Sequence, residues 1–584
     1  MQGLMMDTPL LISGILKHAV RTFADQEIVT SLVEGGKHRY TYKQAEERIC
    51  QLAHALQKMG VRTGDRIGVI GWNTHRQLEL YYAISSIGAV CHTINPRLGP
   101  ENAGFVINHA GDRFMFYDIT FAPLVEALSP HLKTVENYVV MTDKAHAPES
   151  KLNPQTYEEL IAGEEKTFDW PLFDENTASG MCYTSGTTGQ PKGVLYSHRS
   201  TVIQTFVTSL ATSFGADHTD TILPVVPMFH VNAWNVPYSA LMGGAKLVLP
   251  GPGMDGESLH TLIEEEGVTY SLGVPTIWLG LLGYINGAGK TFSTMKYTLV
   301  GGAALSEKIV KGYEAHGVRV RQGWGMTEMS PTGTVNFEEK GFYDQPQEER
   351  IPKQLKQGKA LPFVEMRLVS EDGRILPHDG ETSGHLQVRG PSILSAYYKY
   401  DGDTLTADGW FDTGDVAVID PEGMMSITDR AKDVIKSGGE WISTIDIENA
   451  ALSHPQVVNA AVIGIAHPKW DERPLLICQP APDTNPDAEE VRQFVCKLVP
   501  KISCPDAVEF VKEIPIGATG KVLKTKLREM FRDYVLPELR EGGSAPAQTS
   551  SSNDATELEM TRTANTRPGS TRPQSGPFSF FRRK

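Results

Sequence analysis

Apolar positions along about the first 180 residues alternate between a helical period and a strand period. The stretch AEERICQLAHALQKMG places apolar residues three and four positions apart and ends at Gly60, and the strand-like DRIGVIGW follows. The same alternation continues through HTLIEEEGVTYSLGVP, where a helix should end near Gly267, and into KYTLVGGAAL. Because alternating helices and strands form parallel sheets with crossover helices, this pattern predicts a large α/β body.

The pattern changes after Gly358 to short alternating strands separated by Gly and Pro turns, as in VEMRLVSEDGRILP and GHLQVRGPSI. This part, to about Asp429, predicts a β-rich subdomain that closes the α/β body. Beyond it, the helical IDIENAALSHP and the strand VVNAAVIGI predict a compact α+β domain of ordinary size. We therefore expect an N-terminal domain over residues 1–431, a C-terminal domain over 432–540 and a disordered tail over 541–584.

Composition and charge narrow the class of protein. A chain of 584 residues with 40% apolar and 21% charged residues has the profile of a soluble globular protein with several domains. Its formal net charge of −15 disfavours a general nucleic-acid binder, because only local basic patches would offset phosphate repulsion. The N-terminus lacks a basic signal-peptide region, and no apolar run reaches the roughly 18 residues of a membrane span. We therefore expect a cytoplasmic protein without stable membrane insertion.

The cysteines are interpreted as reduced residues with structural roles. No pair has the close spacing that is typical of a zinc or redox site. The six cysteines are Cys50, Cys91, Cys182, Cys478, Cys496 and Cys504.

The segment YTSGTTGQPKGVLYSH, from Tyr183 to His198, concentrates glycines, hydroxyl residues and one lysine directly after a strand. Glycines let backbone amides approach anionic oxygens, the hydroxyls add donors and Lys192 supplies a cation, so the loop is suited to phosphates. Its residue order differs from that of the Walker P-loop, which disfavours an ordinary kinase or GTPase. A flexible turn between two strands is the alternative. The candidate phosphate contacts are Thr184, Ser185, Gly186, Thr187, Thr188, Gly189 and Lys192.

This loop resembles the signature of the adenylate-forming superfamily, which includes acyl-CoA synthetases, luciferases and the adenylation domains of peptide synthetases. Further motifs of that superfamily follow in the same order between about residues 20 and 530. The resemblance implies a large N-terminal domain that binds AMP and the acyl group, and a small mobile C-terminal domain that rotates between two half-reactions. It also implies ATP and coenzyme A as substrates, Mg²⁺ as the cofactor, and an active site between the two domains.

The motif GWGMTEMSP, from Gly323 to Pro331, places a hydroxyl and a carboxylate side by side. By resemblance, Thr327 holds the α-phosphate, and both Thr327 and Glu328 act in catalysis. Glu328 likewise binds Mg²⁺ together with Thr184, since hydroxyl and carboxylate oxygens suit this hard cation. A solvated Thr-Glu turn is the alternative. The resemblance places further residues of this motif at the nucleotide, namely Gly323, Trp324, Gly325 and Met326.

Three further segments point to the nucleoside. VGGAAL resembles the strand and turn along the adenine, with Gly302 and Ala303 nearest the base, although small residues also permit tight packing there. In WFDTGDVAVID, Asp415 can accept hydrogen bonds from both ribose hydroxyls, and a turn residue is its alternative role. In DRAKDVIKSGGEWIS, Arg430 is a planar donor for ribose or phosphate oxygens, and Lys432 occupies the hinge position of the superfamily.

The rest of that segment resembles the loop that enters the site for thioester formation, with glycines that leave room for the pantetheine arm of coenzyme A. Its members are Lys436, Ser437, Gly438, Gly439, Glu440 and Trp441. A glycine-rich surface turn is the alternative. In IPIGATGKVLKTKLR, Lys521 occupies the position of the superfamily's catalytic lysine, where it can bridge the substrate carboxylate and the α-phosphate. We expect the neighbouring Lys524 and Lys526 to be solvated charges.

The apolar stretch VVPMFHVNAWNVPY resembles the wall of the acyl pocket. Its candidate lining residues are His230, Val231, Asn232 and Trp234. Relatives that activate amino acids have an Asp where this chain has His230, and without that carboxylate a substrate ammonium would lack its buried partner. A plain carboxylic acid is therefore favoured. His230 either contacts the carboxylate or is a packed, hydrogen-bonded histidine, and no general base is needed because the acid is already ionised near neutral pH.

These segments look most similar to bacterial medium- and long-chain fatty-acyl-CoA synthetases and to 3-methylmercaptopropionate-CoA ligases. In that group, the tryptophan that matches Trp234 gates an acyl tunnel, and homodimers form through the N-terminal domain. A core tryptophan without a gating role is the alternative.

The sequence thus predicts an AMP-forming acid–thiol ligase, which activates a fatty or other simple carboxylic acid as acyl-AMP and then transfers the acyl group to coenzyme A. An adenylation enzyme that loads a carrier protein is the first alternative, although the residues after Gly542 do not resemble a carrier domain. A non-catalytic acyl- or nucleotide-binding protein is the second. The retained motif residues, Thr327, Glu328, Asp415, Arg430 and Lys521, disfavour it.

Overall fold

A computed structural model of the protein describes residues 1, 3–184, 190–438, 440–517 and 521–540. The expected phosphate contacts at residues 185–189 lie outside this part of the chain, as do Gly439 and the predicted tail over 541–584. The chain divides into two compact units, Met1–Leu536 and Pro537–Lys584. The described part of the second unit contains a short 3-10 turn, Pro537–Leu539, and all elements below belong to the first.

The helices follow the predicted alternation. They are α1 Ile12–Phe23, α2 Tyr42–Lys58, α3 His75–Ser86, α4 Pro100–Ala110, α5 Ala122–Leu128, α6 Tyr157–Ile161, α7 His198–Thr208, α8 Val231–Trp234, α9 Val236–Gly243, α10 Gly256–Glu266, α11 Pro275–Ala288, α12 Glu307–Ala315, α13 Gln347–Gln354, α14 Thr444–Leu452, α15 Ala488–Cys496 and α16 Lys524–Met530.

The strands form three sheets in the described part of the chain. They are β1 Glu27–Ser31, β2 Lys37–Thr41, β3 Arg66–Ile70, β4 Val90–Thr93, β5 Asp112–Tyr117, β6 Asn137–Val140, β7 Gln155–Thr156, β8 Ala178–Tyr183, β9 Gly193–Ser197, β10 Thr221–Pro224, β11 Lys246–Leu249, β12 Tyr270–Gly273, β13 Tyr297–Val300, β14 Arg319–Gly325, β15 Thr332–Val335, β16 Gly358–Ala360, β17 Glu365–Val369, β18 Gly384–Arg389, β19 Phe411–Ile419, β20 Met424–Arg430, β21 Ile435–Ser437, β22 Glu440–Ile442, β23 Val457–His467, β24 Asp471–Pro480 and β25 Ala507–Phe510.

Two of these sheets belong to the N-terminal region. The first has the order β7-β6-β5-β3-β4-β8-β9 and is parallel except between β8 and β9. The second has the order β17-β18-β19-β20-β16-β15-β14-β13-β12-β10-β11-β1-β2. Its pairs from β14 to β1 are parallel, and those from β14 to β17 are antiparallel. Part of the predicted α/β body and the β-rich subdomain therefore share one continuous sheet, and the rest of that body forms the first sheet.

Helix α2 ends at Lys58, after which the Met59 amide donates to the Ala55 carbonyl and Gly60 takes a left-handed φ of 83°. At the start of α2, the Thr41 side chain accepts from the backbone amide of Gln44, and the Gln44 side chain accepts from the Thr41 amide. α10 ends before Gly267, which has a left-handed φ of 67° and donates its amide to Ile263. β3 and β12 follow these two helices. The helix ends expected near Gly60 and Gly267 are confirmed.

The third sheet, β22-β21-β24-β23 with β25 beside β24, forms the smaller α+β part of the protein. α14 and α15 cover it, and Ile447, Val462, Leu476 and Val491 are fully buried between these layers. The expected fold class, a large α/β N-terminal domain with a β-rich subdomain and a smaller α+β C-terminal domain, is confirmed. The boundary near residue 432 stays a prediction.

The expectation of reduced cysteines is wrong for one pair. Cys496 and Cys504 form a disulfide with their Cα atoms 4.7 Å apart, because the chain reverses between the end of α15 and a 3-10 turn at Lys501–Ser503. The cysteines without a disulfide are buried; they are Cys50, Cys91, Cys182 and Cys478. In the part of the chain that the structure describes, no helix is long and apolar enough to cross a membrane.

Candidate active site

A cavity of about 960 Å³ lies at the carboxyl ends of β13 and β14, where the second sheet changes from parallel to antiparallel pairing. In open α/β sheets, ligands commonly bind outside the carboxyl ends of the strands. Residues from the predicted phosphate, nucleoside, hinge, acyl and catalytic sets meet here. They are Thr184, Lys192, His230, Val231, Trp234, Gly302, Gly323, Trp324, Gly325, Met326, Thr327, Glu328, Arg430, Lys432 and Lys521.

Some expected site residues lie outside the wall of this cavity. Ala303 and Asn232 lie outside this wall. Asp415 also lies outside it and is buried directly behind Trp324. The described members of the coenzyme A set also lie elsewhere. They are Lys436, Ser437, Gly438, Glu440 and Trp441.

A tight reversal after β14 sets Thr327 and Glu328 at the cavity. Only glycine fits at Gly325, because a Cβ there would overlap the carbonyl oxygen of Pro331. Tyr196 donates its hydroxyl to the Thr327 carbonyl at 2.8 Å and so holds the backbone of the turn. The spacing of the Thr-Glu motif after a strand is thereby fixed by backbone geometry.

The Glu328 side chain is 7% exposed and faces the cavity. Its Oε1 accepts a hydrogen bond from the Tyr397 hydroxyl at 2.8 Å, and its backbone carbonyl accepts from the Leu394 amide at 2.9 Å. Burial raises the pKa of the Glu328 carboxyl, whereas the bond from Tyr397 and the charges of Arg430 and Lys521 lower it. The carboxylate is therefore held in one orientation by a phenol.

Asp415 is 1% exposed, and both of its carboxylate oxygens have protein donors. The Trp324 indole Nε1 donates to Oδ2 at 3.0 Å, and Arg430 Nε lies 2.8 Å from Oδ1. Asp415 and Arg430 face each other across the β19–β20 ladder. Burial raises the pKa of Asp415, and Arg430 and Trp324 counteract this. Because a carboxylate oxygen accepts two hydrogen bonds, both oxygens retain capacity for a ribose hydroxyl.

Lys521 reaches the cavity from the C-terminal part of the chain. Its Cε lies 4.0 Å from the position that a Cβ would take on Gly302. The pKa of Lys521 is lowered to about 8, chiefly by burial and next by the cation Arg430, while Asp415 and Glu328 oppose the shift. Burial, with a smaller contribution from Lys521, also lowers the pKa of His230 to about 4. At neutral pH the pair therefore consists of a mainly charged lysine and a neutral imidazole.

The acyl wall is built on an unusual backbone turn. The residues of α8 and the following Asn235 all have positive φ angles, from 45° at Val231 to 69° at Asn235. This left-handed conformation costs roughly 1–2 kcal/mol per residue other than glycine. The Asn235 side chain anchors it by donating to the Thr205 hydroxyl at 3.0 Å. The turn places the Trp234 indole against Gly301, where a Cβ would come within 3.0 Å of Cη2.

The expected coenzyme A loop forms the hairpin β21–β22 outside the cavity. Lys436 makes an ion pair of 2.5 Å with Glu371, and the Trp441 ring lies 5.8 Å from that of His385. Ser437 is fully buried and accepts a hydrogen bond from Arg473 Nη1 at 3.1 Å. The structure thus brings Lys521, and not this hairpin, to the Thr-Glu motif.

Comparison with known proteins agrees with this geometry. The family model described as AMP-binding enzyme matches residues 16–398, and the model described as AMP-binding enzyme C-terminal domain matches residues 446–521. The chain belongs to the AMP-binding enzyme family.

Relatives of this AMP-binding enzyme match almost its whole length. It is 47% identical over 535 residues to the 3-methylmercaptopropionyl-CoA ligase of Ruegeria lacuscaerulensis, with 91% of this chain and 99% of the relative covered. It is 46% identical over 538 residues to the medium-chain-fatty-acid–CoA ligase of Ectopseudomonas oleovorans, with 92% and 98% covered. The solved anthranilate CoA ligase with bound anthranoyl-AMP has a TM-score of 0.80 at 23% identity, with 90% and 98% covered, and shares the fold. The expected superfamily and the expected enzyme class, an AMP-forming acid–thiol ligase, are confirmed.

The AMP-binding enzyme offers oxygen donors that fit Mg²⁺. Glu328 presents a carboxylate to the cavity, and Thr184 presents a hydroxyl that accepts from the Lys192 amide at 3.0 Å. Mg²⁺ is usually held by one or two carboxylates, water and substrate phosphates. Within the described residues, no group of three His, Cys, Asp or Glu side chains could hold a metal by itself. The donor set therefore suits a cation that arrives with its nucleotide.

Sequence reasoning missed the aromatic part of the cavity wall. The Lys192 ammonium lies 4.7 Å from the ring centroid of Tyr397 and 4.4 Å from that of Tyr400. The signal that could have found these residues is the cluster YYKY at positions 397–400, which follows the β-rich strands. Nothing in the local pattern shows that it packs against a loop about two hundred residues earlier.

The expectation that Lys524 is a solvated charge is wrong. Its side chain is 13% exposed and forms an ion pair of 2.8 Å with Glu448. α16 turns this side chain towards α14, whereas Lys526, on another face of the same helix, is exposed as expected. A buried ion pair of this kind fixes the packing of α16.

Proposed function

We propose that the protein is a coenzyme A ligase for a simple carboxylic acid of the medium-chain fatty acid or thioether acid class. The observation that carries the proposal is the position of Lys521, which shares a cavity with Lys192, Thr327 and Glu328. A reaction between two anions, a carboxylate and a triphosphate, requires positive charge and hydrogen-bond donors, which the lysines and the hydroxyl supply directly and a carboxylate would supply by holding Mg²⁺.

In the first half-reaction, a carboxylate oxygen attacks the α-phosphorus of ATP. The new bond joins that oxygen to phosphorus, the bond to the bridging oxygen of the β-phosphate breaks, and pyrophosphate leaves with the electron pair. Lys521, mainly charged below its pKa of about 8, offsets the negative charge that the two anions bring together. The neutral His230 orients the carboxylate as a hydrogen-bond donor and does not act as a base.

The nucleotide contacts are proposed from the resemblance of the motifs, and for the cavity residues also from the geometry above. Asp415 and Arg430 bind the ribose, Thr327 binds the α-phosphate, and Glu328 with Thr184 holds Mg²⁺. Bound Mg²⁺ would offset the charge of the phosphates. The remaining nucleotide contacts are Ser185, Gly186, Thr187, Thr188, Gly189, Lys192, Gly302, Ala303, Gly323, Trp324, Gly325 and Met326.

The second half-reaction uses the hairpin β21–β22. In this proposal, the C-terminal domain rotates about Lys432, Lys521 leaves the cavity, and the hairpin carrying Lys436 and Trp441 replaces it. The coenzyme A thiolate then attacks the acyl carbon, the thioester bond forms, and AMP leaves. Room for the pantetheine arm at the glycines of this hairpin is what the resemblance implies. In the present arrangement, a Cβ on Gly438, which has a φ of 60°, would come within 2.8 Å of the Trp470 ring.

The acid class follows from the acyl wall and from the relatives. α8 contains no acidic residue, so a substrate ammonium would lack a charge partner beside Trp234. The two relatives are named for 3-methylmercaptopropionate and for medium-chain fatty acids, which are both unbranched acids without an ammonium group. The homodimer implied by the resemblance stays a prediction, which sedimentation of the purified protein would check.

The test is pyrophosphate release and thioester formation with ATP, Mg²⁺ and straight-chain acids from C3 to C18 plus 3-methylmercaptopropionate, each with and without coenzyme A. We expect turnover that needs coenzyme A and peaks at one chain length. Lys521→Ala should abolish it, and Lys526→Ala, at an exposed site on α16, should not. Pyrophosphate exchange without any dependence on coenzyme A would instead indicate loading of a carrier protein. The absence of pyrophosphate release with every acid would refute the proposal.

A further inference from the structure

The segment Leu394–Tyr400 runs between the two motifs that are proposed to bind the triphosphate. We call it the tyrosine segment. At its start, the Leu394 amide donates to the Glu328 carbonyl at 2.9 Å. Near its end, the Tyr398 amide donates to the Gly193 carbonyl at 2.9 Å, next to Lys192. The backbone of one short segment therefore joins the Thr-Glu motif to the end of the phosphate loop.

The side chains of the tyrosine segment also connect the Thr-Glu motif to Lys192. Tyr397 donates its hydroxyl to Glu328 Oε1 at 2.8 Å, and its ring centroid lies 4.7 Å from the Lys192 ammonium. Tyr400 brings a second ring centroid within 4.4 Å of the same ammonium. The two rings meet edge to face, with centroids 5.7 Å apart and an interplanar angle of 81°. Tyr397 thus contacts both proposed triphosphate ligands.

The tyrosine segment is itself anchored from the other side. The Lys399 ammonium donates a hydrogen bond to the carbonyl oxygen of His109, near the end of α4, at 2.8 Å. The backbone of Lys399 has a left-handed φ of 49°, which a lysine adopts only where surrounding contacts hold it. This turn directs the ring of Tyr400 back towards the cavity, which both rings line.

We propose that Tyr397 and Tyr400 are positioning residues for the β- and γ-phosphates of ATP, an inference that rests on the proposed function. A lysine side chain has many rotamers, and two aromatic faces restrict its ammonium to one place without taking its hydrogen-bond donors. The phenol of Tyr397 fixes the Glu328 carboxylate by a charge-assisted hydrogen bond. Both proposed ligands of the triphosphate are therefore set before ATP arrives.

This arrangement predicts discrimination between nucleotides. In this proposal, Lys192 binds phosphates that ATP has and AMP lacks, and Glu328 would hold the Mg²⁺ that accompanies them. Loss of a tyrosine contact should therefore weaken the binding of a triphosphate and leave the binding of AMP unchanged. A tyrosine that only stabilised the fold would change both affinities, or neither.

The experiment is titration calorimetry of the purified protein with AMP and with an ATP analogue that has a methylene group between the α- and β-phosphorus atoms. The variants are Tyr397→Phe, which removes one hydroxyl, and Tyr400→Leu, which removes one ring. Tyr400→Phe is the matched control, because it keeps the ring at Lys192. We expect both test variants to weaken analogue binding about threefold to tenfold and to leave AMP binding within twofold.

The dependence of analogue binding on Mg²⁺ distinguishes the contact of Tyr397 with Glu328 from the contact of Tyr400 with Lys192. Tyr397→Phe should also raise the Mg²⁺ concentration for half-maximal analogue binding, and Tyr400→Leu should not. Unchanged analogue binding by Tyr400→Leu would overturn the proposal, because the ring would then have no effect on Lys192. Tighter binding would also overturn it, because the ring would then keep Lys192 away from the phosphates. Equal losses for AMP and the analogue would also overturn it. An intact protein that binds neither nucleotide would refute the proposed function itself.

Discussion

Trp324 donates its indole N–H to Oδ2 of Asp415 at 3.0 Å, while Arg430 approaches Oδ1 of the same carboxylate at 2.8 Å. This contact ties β14, which leads into the Thr-Glu motif, to the strand pair that carries the proposed ribose ligands. Asp415 is almost fully buried, which raises the pKa of its carboxyl, and the two donors oppose that shift and fix the orientation of the group. The carboxylate is oriented before any nucleotide binds.

Replacing Asp415 by Asn should therefore weaken ATP binding strongly. The amide loses the charge that Arg430 faces and turns one acceptor into a donor, so we expect KM for ATP to rise about tenfold to a hundredfold. Steady-state kinetics at saturating acid and coenzyme A measure this. Asp408→Asn, at an exposed carboxylate paired with Arg367 on the same part of the sheet, is the control. Equal effects of the two substitutions would contradict a ribose role for Asp415.

Lys521→Ala should separate the half-reactions. We expect pyrophosphate release to fall about a hundredfold to a thousandfold. The substitution removes the Lys521 ammonium, which is placed to stabilise the negative charge that develops in the transition state. Thioester formation from added acyl-AMP should stay within a few-fold, because the hairpin β21–β22 and not Lys521 serves that step in our proposal. Rapid-quench measurements resolve the two. Equal loss in both steps would show that Lys521 acts beyond the first.

The pKa of Lys521, lowered to about 8, predicts the pH profile of adenylation. The charged form is the active one, so kcat/KM for pyrophosphate release should be level below pH 8 and fall about tenfold per unit above it. Lys521→Arg stays charged throughout this range, and its residual activity should not fall there. A profile that falls at the same pH in the arginine variant would assign the titration to another group.

The disulfide Cys496–Cys504 should stabilise the C-terminal region. It closes a loop of about nine residues, for which loop-closure entropy gives about 2–3 kcal/mol. We expect Cys496→Ser with Cys504→Ser to lower the melting temperature, and dithiothreitol to lower that of the intact protein but not of the variant. Thiol titration in denaturant should find the four unpaired cysteines before reduction and all six after it. Six thiols without reduction would exclude the bond.

Local patterns predicted the elements whose ends are set by local chemistry. Gly267 ends α10 because a left-handed residue closes a helix, and the sequence shows that glycine directly. The Thr-Glu motif was likewise visible, because Gly325 must be glycine for the chain to reverse after β14. In both places, the deciding interaction lies within a few residues of the pattern.

Other features depend on partners that are distant in the chain. The segment VNAWN contains no glycine, so nothing in it predicts a left-handed turn that Thr205 helps to hold. Lys524 looks like an ordinary exposed lysine until Glu448 of α14 is placed beside it. The contact of Tyr397 with Lys192 likewise requires the tertiary fold. These are the residues whose roles the sequence left open or misjudged.

The second sheet changes from parallel to antiparallel pairing at β14, and the strands on the two sides of this change carry different residues of the proposed site. Trp234 packs against Gly301 at the end of a parallel strand, whereas Asp415 and Arg430 lie on antiparallel strands beyond β14. In our proposal, the acyl wall therefore lies at the parallel part of this sheet and the ribose ligands lie on its antiparallel part. Under this proposal, substitutions around Trp234 should change the preferred acid and leave the carboxylate–guanidinium pair of Asp415 and Arg430 in place.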